Sequence, residues 1–161
     1  MKTFGLLGRN ISYSFSSGYF SEKFTELKLE KHQYVNFDIE DLSDFYRLIS
    51  DEINPVFGMN VTIPYKQDVM QYLDEIDEAA LEIGAVNTVK FLSNGKTKGF
   101  NTDVFGFEKS LKPLLENQHQ KALILGTGGA SKAVAYVLKK LQISFLFVSR
   151  NPIDDNQSSY S

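Results

Sequence analysis

Lys66 and Asp103 are the two residues in this sequence best suited to move a proton. Desolvation in a dry cleft favours the neutral form of a lysine, while a nearby carboxylate favours the ammonium and holds it in place. Such a pair can move a proton at a substrate hydroxyl while a hydride leaves the same carbon. A solvated lysine and an aspartate at a helix start would explain the same residues taken singly. Around them stand Asn60 and Thr62, close to Pro64, then Asn87-Thr88 inside an apolar run, then Asn101-Thr102. Polar groups in such segments need partners when buried, and either a ligand or local caps and turns can supply them. Ser14 and Ser16 follow the first apolar run. Their hydroxyls, with the amides of a helix start, can hold a carboxylate or equally cap the helix.

A second constellation is Gly126-Thr127-Gly128-Gly129-Ala130-Ser131, which follows an apolar strand pattern and opens a helical one. Binding a pyrophosphate needs a tight turn, close backbone approach and amides at a helix N-terminus. Ser131 replaces the third glycine of the strict dinucleotide pattern and is still small. A plain strand-to-helix turn is the alternative. The next strand pattern ends at Val148-Ser149-Arg150-Asn151, with no acid to bond the ribose hydroxyls of NAD. An arginine here can hold a 2′-phosphate through two parallel hydrogen bonds, so the reading is NADP, with a solvated surface arginine as the alternative.

The elements that must position these residues follow from the hydrophobic period. Residues 3–7, 34–39 and 56–62 read as buried strands, the third stopped by Pro64. Ser16 or Ser17 is expected to cap a helix carrying Phe20, Phe24 and Leu27, and Asp41 one carrying Leu42, Phe45, Tyr46 and Ile49. An amphipathic region spans about 66–83, and its acids from Asp74 to Glu82 read as a solvated helix face. Residues 85–92 and 96–101 flank Asn94-Gly95, the signature of a type I′ hairpin turn. Asp103 opens a helix with Phe107, Leu111 and Leu114 inward and Pro113 bending or ending it. Strand 122–125, helix 130–141 and strand 145–148 follow, and 151–161 is polar without a period. The alternation predicts an α/β protein with a mostly parallel sheet and a hairpin insertion. Polar residues 116–120 read as a linker between a first domain, 1–115, and a second piece, 116–161.

Composition narrows the classes further. The 161 residues carry 17 Lys+Arg against 20 Asp+Glu, a net charge of −3, with 42% hydrophobic residues and no Cys. That excludes a disordered chain, thiol chemistry and thiolate metal sites, and it gives no electrostatic footprint for nucleic acid. No apolar run reaches the ~18 residues of a membrane helix. The N-terminal apolar run is too short for a signal-peptide core. His32 and His119 stand apart in polar surroundings, so no metal is expected. A soluble, cytoplasmic globular protein is the expectation.

Five blocks in order, Ser14-Phe-Ser16, Asn60-Val-Thr-Ile-Pro-Tyr-Lys66, Gly84-Ala-Val-Asn-Thr88, Asn101-Thr-Asp-Val-Phe-Gly106 and Gly126-Thr-Gly-Gly-Ala-Ser131, resemble the shikimate dehydrogenase family. The resemblance covers essentially the whole chain. It implies an N-terminal α/β substrate domain followed by the first β-α-β part of a Rossmann domain. The implied activity is NADP-linked interconversion of 3-dehydroshikimate and shikimate, in aromatic amino-acid biosynthesis. It further implies that Ser14 and Ser16 bind the substrate carboxylate with Thr62 and Asn60 nearby, and that Asn87 and Asp103 hold ring hydroxyls. Lys66 would be the acid/base, Gly126 to Ala130 the pyrophosphate cradle, and Ser149-Arg150 the 2′-phosphate site. Ser17 stands where the family usually has Pro, and Ser149-Arg150-Asn151 where it usually has Asn-Arg-Thr. The family also continues well beyond the second strand of its nucleotide domain. The chain is therefore expected to be incomplete alone, finished by a C-terminal part or another copy, and inactive by itself. A relative that also uses quinate, and a non-catalytic ligand-binding module, are the other readings.

Overall fold

The computed structural model describes residues 1–50, 55–153 and 156–159. Two sheets follow one another along the chain. The first has six strands in the order β2-β1-β3-β5-β6-β4, comprising β1 (Lys2–Gly8), β2 (His32–Asp38), β3 (Val56–Val61), β4 (Glu75–Ile76), β5 (Thr88–Phe91) and β6 (Thr97–Phe100). β1 pairs in parallel with β2 and β3, whereas β3–β5 and β5–β6 are antiparallel, which makes the hairpin an insertion into a parallel frame. The helices α1 (Ser16–Glu26), α2 (Phe45–Ile49), α3 (Glu78–Ile83) and α4 (Asp103–Leu111) connect and follow these strands. The second sheet holds β7 (Lys121–Leu125), β8 (Ser144–Val148) and β9 (Gln157–Ser158), all parallel, with α5 (Gly129–Lys140) crossing from β7 to β8. The mixed α/β class and the strand–helix–strand start of a dinucleotide fold are as expected.

The main core packs Leu7, Phe45, Val61, Val69, Val86 and Val89 on one face of the first sheet, all of them fully or almost fully buried. Burial of each such side chain is worth about 1.5–3 kcal/mol. A smaller cluster under α1 joins Leu6, Ile11 and Tyr34 to Phe4, Phe20 and Phe24.

Several local expectations need correction. α1 is capped by neither Ser16 nor Ser17: Phe15 already has helical dihedrals and is the N-cap, so both serines lie inside the first turn. Leu27 lies beyond the last helical residue and is exposed. The hairpin turn is not type I′, because Gly95 alone has positive φ (80°) while Asn94 does not. Gly95 N–H donates to the Leu92 carbonyl (3.1 Å), so the loop is one residue longer and Gly95 supplies the left-handed position.

Region 66–83 is not one amphipathic helix: a 3-10 turn (Asp68–Tyr72), β4 and α3 divide it. Its acids accordingly have separate tasks. Asp77 caps α3 by accepting from Ala79 N–H (3.2 Å), and Asp74 accepts from the Thr97 amide and hydroxyl. α4 stops at Leu111, and Lys112–Leu114 tightens into a 3-10 turn around Pro113. The tighter winding rotates Leu114 into solvent, while Leu111 and Leu115 pack against Ile124, Leu138 and Ile143. His32 is not in polar surroundings either, since its ring stacks on Phe4 at 5.9 Å. Part of the polar tail is a strand, β9, and the remainder of that expectation at 154–155 and 160–161 lies outside the described residues. No helix of the described residues is long and apolar enough to cross a membrane.

α5 is packed against the first sheet's helices as well as its own strands. Ala133 is buried with Ile83 and Ala85, beside Val104 and Tyr136. Polar ties flank this contact at Lys132–Gln67 (3.0 Å), Lys139–Glu82 (3.0 Å) and Lys140–Glu108 (2.8 Å). Glu108 also accepts from Lys112 (2.6 Å), and hydrogen bonds from Lys112 and Lys140 hold its carboxyl below the usual carboxylate range. A carboxyl depressed on folding contributes stability above its unfolded value, 4.5, and loses it as pH falls through the lower folded value. Glu108→Gln is expected to lower the melting temperature modestly at neutral pH, with the gap to the unaltered protein closing below about pH 4. Thermal melts of both proteins across that range check it, and a gap independent of pH would contradict it.

Candidate active site

The candidate site forms where the C-terminal ends of β1 and β3, the start of β5 and the start of α4 converge. Backbone order brings the key side chains there. The chain leaves β3 through a turn closed by Tyr65 N–H to the Thr62 carbonyl (2.9 Å), across the cis Ile63–Pro64 bond. The next residue is Lys66, whose carbonyl accepts from Val86 N–H (2.7 Å). Asp103 is the first residue of α4 and its amide donates to Asn101 Oδ1 (3.1 Å). Asn101 is itself buried and ties its Nδ2 to the Ala85 carbonyl (2.9 Å).

The result is a direct Lys66 Nζ–Asp103 Oδ2 ion pair of 2.7 Å, with side chains 19% and 37% exposed. The pair is shielded yet reachable, which suits a proton donor that must meet a ligand. Asn87, 8% exposed, offers its Oδ1 to Thr102 N–H (2.9 Å), Thr102 Oγ1 (3.1 Å) and Thr88 Oγ1 (3.0 Å). Three donors saturate a carbonyl oxygen. Its Nδ2 has no partner among the described residues, so the amide is committed at one end and available at the other. Asn60 accepts from Tyr34 (2.9 Å) and donates to Thr88 (3.4 Å). Asn60, Thr88 and Thr102 line a cleft of about 760 Å³ walled by Phe4, Phe20, Phe24 and Phe57.

Thr62 is half-buried beside Gly8, where a methyl group would meet its Cγ2 at 2.8 Å. Ser14 and Ser16 sit at the mouth of α1, half-buried, with Ser14 Oγ accepting from Ser16 N–H (3.3 Å). Among the described residues no hydrogen bond or ion pair joins either serine to Lys66 or Asp103.

The glycine turn has the geometry of a phosphate cradle. Gly126 has φ +106°, a region that side chains avoid, and its amide donates to the Val148 carbonyl (2.9 Å). Open space surrounds Gly128, and the helix behind it has no side-chain cap. Its first amides therefore remain available to an anion. A methyl group at Gly129 would lie 3.5 Å from Cβ of Lys66 and 3.6 Å from Cβ of Ala85. The start of α5, and with it the Thr127 and Ala130 backbone, is thus set against the aliphatic stem of Lys66. Ser149 closes β8 and Arg150 is exposed, with no ion pair among the described residues. A dinucleotide would find a glycine turn, helix amides without a side-chain cap and the exposed Arg150 at one end of the second sheet, and these residues fit that group.

Sequence reasoning missed Tyr34, beneath this surface, and marked Thr88 and Thr102 only as polar groups in need of partners. Tyr34 reads as an ordinary strand residue, and no motif spacing marks it.

Residues 6–89 match the model of the shikimate dehydrogenase substrate binding domain. Shikimate dehydrogenase (NADP(+)) of Methanococcus maripaludis is 40% identical over 153 residues, covering 93% of this chain and 53% of the relative. A crystal structure of shikimate dehydrogenase 1 from Peptoclostridium difficile superposes with a TM-score of 0.87 at 37% identity, over 99% of this chain and 61% of that one. Thermus thermophilus shikimate 5-dehydrogenase, solved in complex with NADP(H) and shikimate, gives 0.81 at 32% identity, over 94% and 57%. The chain spans about half the length of the curated relatives it matches. The match over 6–89, together with the Lys66–Asp103 pair and the glycine turn beside it, shows that this chain belongs to the shikimate dehydrogenase substrate-binding-domain family.

Proposed function

We propose that this chain carries the substrate site and the first strand–helix–strand of the NADP site of a dehydrogenase that interconverts 3-dehydroshikimate and shikimate. The observation that carries the reading is that the start of α5 lies beside the Lys66 stem, where a methyl group on Gly129 would come to 3.5 Å, while Lys66 Nζ holds Asp103 at 2.7 Å. It sets the phosphate cradle and the proton-moving pair side by side.

Ser14, Ser16 and Thr62 bind the substrate carboxylate, and Asn60, Asn87 and Asp103 hold ring hydroxyls. In the oxidative direction Lys66 takes the proton of the reacting hydroxyl as a hydride leaves the same carbon, giving the ketone. In the reductive direction Lys66 returns that proton to the carbonyl oxygen. Bound NADP supplies the hydride acceptor or donor. Asp103 holds the Lys66 side chain in place, and its charge favours the ammonium that forms when the proton is taken up. Gly126, Thr127, Gly128, Gly129 and Ala130 bind the pyrophosphate through backbone amides, and Ser149 and Arg150 the 2′-phosphate.

Ligand binding without turnover is a second reading, and one observation favours it. Leu123, Leu125 and Leu146 are 66%, 70% and 42% exposed, so one face of the β7–β8 sheet is bare. Doubly wound parallel sheets are covered on both faces. Turnover would then require that cover from further polypeptide or a second copy. Calorimetric titration with shikimate and with NADP+, beside an assay of shikimate-dependent NADP+ reduction, separates the two readings. Arg150→Ala is expected to weaken NADP+ binding by about 10–100-fold, the value of a charge-assisted contact, and to leave NAD+ binding unchanged. Failure of the protein to bind shikimate would overturn the substrate assignment. Unchanged NADP+ affinity in Arg150→Ala would overturn the phosphate assignment.

A further inference from the structure

We propose that Tyr34 is a positioning residue of the substrate site, acting through Asn60 and Thr88 to fix the orientation of the Asn87 amide; this rests on the substrate-site reading above. Tyr34 lies on β2, buried, with its ring stacked on Phe20 at 4.6 Å. Its hydroxyl donates to Asn60 Oδ1 at 2.9 Å, the one hydrogen bond it makes among the described residues. Burial pushes the phenol up to about 12, so the group stays a donor at any ordinary pH.

The chain of bonds has a direction. Asn60 Nδ2 donates to Thr88 Oγ1 (3.4 Å), and Thr88 donates onward to Asn87 Oδ1 (3.0 Å). A threonine hydroxyl has one proton, and with Asn60 turning its nitrogen towards Thr88 that proton is left for Asn87 Oδ1 or for Thr102 Oγ1, 3.3 Å away. Each end of the chain is anchored by a donor. At one end Thr102 N–H, which can only donate, fixes Asn87 Oδ1 (2.9 Å). At the other end the Tyr34 hydroxyl fixes Asn60 Oδ1. Between them both amide oxygens face inward, and Asn87 presents its NH2 to a ligand oxygen.

Without the tyrosine hydroxyl, half-buried Asn60 loses the donor to its Oδ1. Rotation of that amide by half a turn then lets Thr88 send its proton to Asn60 instead of Asn87. Asn87 Oδ1 then keeps only its bonds from Thr102, and the amide offered to a substrate hydroxyl or carbonyl is held less firmly.

The test uses Tyr34→Phe in the purified protein with two readouts, the side-chain amide NMR signals of Asn60 and Asn87 and the affinity for shikimate. The signals of both amides are expected to move. Shikimate affinity is expected to fall about three- to tenfold, as for loss of one buried hydrogen bond, with NADP+ affinity unchanged. Thr88→Val breaks the next link and should give the same signature, less than additive with Tyr34→Phe, while Thr88→Ser restores it. Thr88→Val carries the test where Tyr34→Phe does not fold. A Tyr34→Phe protein that folds, with the Asn87 signal unmoved and affinity retained, overturns the proposal, as do strictly additive losses. An unaltered protein that does not bind shikimate overturns the substrate reading, while the amide signals still decide whether Tyr34 orients Asn60 and Asn87.

Discussion

Replacing Lys66 by alanine is expected to lower shikimate-dependent NADP+ reduction by about 10²–10⁴-fold, the range supplied by a general acid or base. Shikimate affinity is expected to change far less, because the group acts where the proton moves and several other side chains hold the substrate. The geometry sharpens the expectation. Lys66 Nζ touches Asp103 at 2.7 Å, and its carbonyl is tied to Val86, so alanine removes the ammonium without loosening the backbone. Arginine at the same position keeps the positive charge but does not give up its proton, so Lys66→Arg should be nearly as slow. Steady-state kinetics of the active enzyme, paired with calorimetric shikimate titration, measure both effects. A rate within tenfold of the unaltered enzyme in Lys66→Ala would remove Lys66 from the proton transfer.

A comparably large effect is expected at Gly126, on the cofactor side. Valine there must adopt φ near +106°, at a cost of roughly 1–3 kcal/mol, or drag the turn away from Val148. Either outcome displaces the first amides of α5 and should weaken NADP+ binding by about 10–100-fold while shikimate affinity holds. Gly128→Ala makes the informative contrast. Gly128 has an ordinary φ of −75° and open space around it, so alanine there costs the fold nothing. Any NADP+ affinity lost in Gly128→Ala is therefore collision with the ligand. If Gly126→Val binds NADP+ normally, the turn is not the cradle.

Legibility differed between kinds of information. Strands β1, β3, β7 and β8 were readable because continuous apolar runs have few alternatives, and the glycine turn because its φ requirement restricts residue type. The hairpin was readable from Asn94-Gly95, but its turn type was not, since one positive φ or two depends on a loop length that the dipeptide leaves open. Leu114 was misplaced because a 3-10 turn after Leu111 changes the angular step, which a helical period cannot foresee. The acids from Asp74 to Glu82 looked like one solvated face only while the segment was taken as one helix. The pairing of Lys66 with Asp103 was anticipated from residue type and from family resemblance. The bonds linking Tyr34, Asn60, Thr88 and Asn87 were not, because they join three strands whose register no local pattern encodes.

The way α5 is seated bears on how such a chain can be recombined. A crossover at the polar residues 116–120 looks harmless, because that loop is exposed. Yet the incoming half would have to bring a small residue at 133 to lie on Ile83 and Ala85, and cations at 139 and 140 to answer Glu82 and Glu108. A donor chosen for its cofactor preference alone would carry the wrong underside. The two halves meet as matched surfaces, so exchange of one without the other breaks the seam.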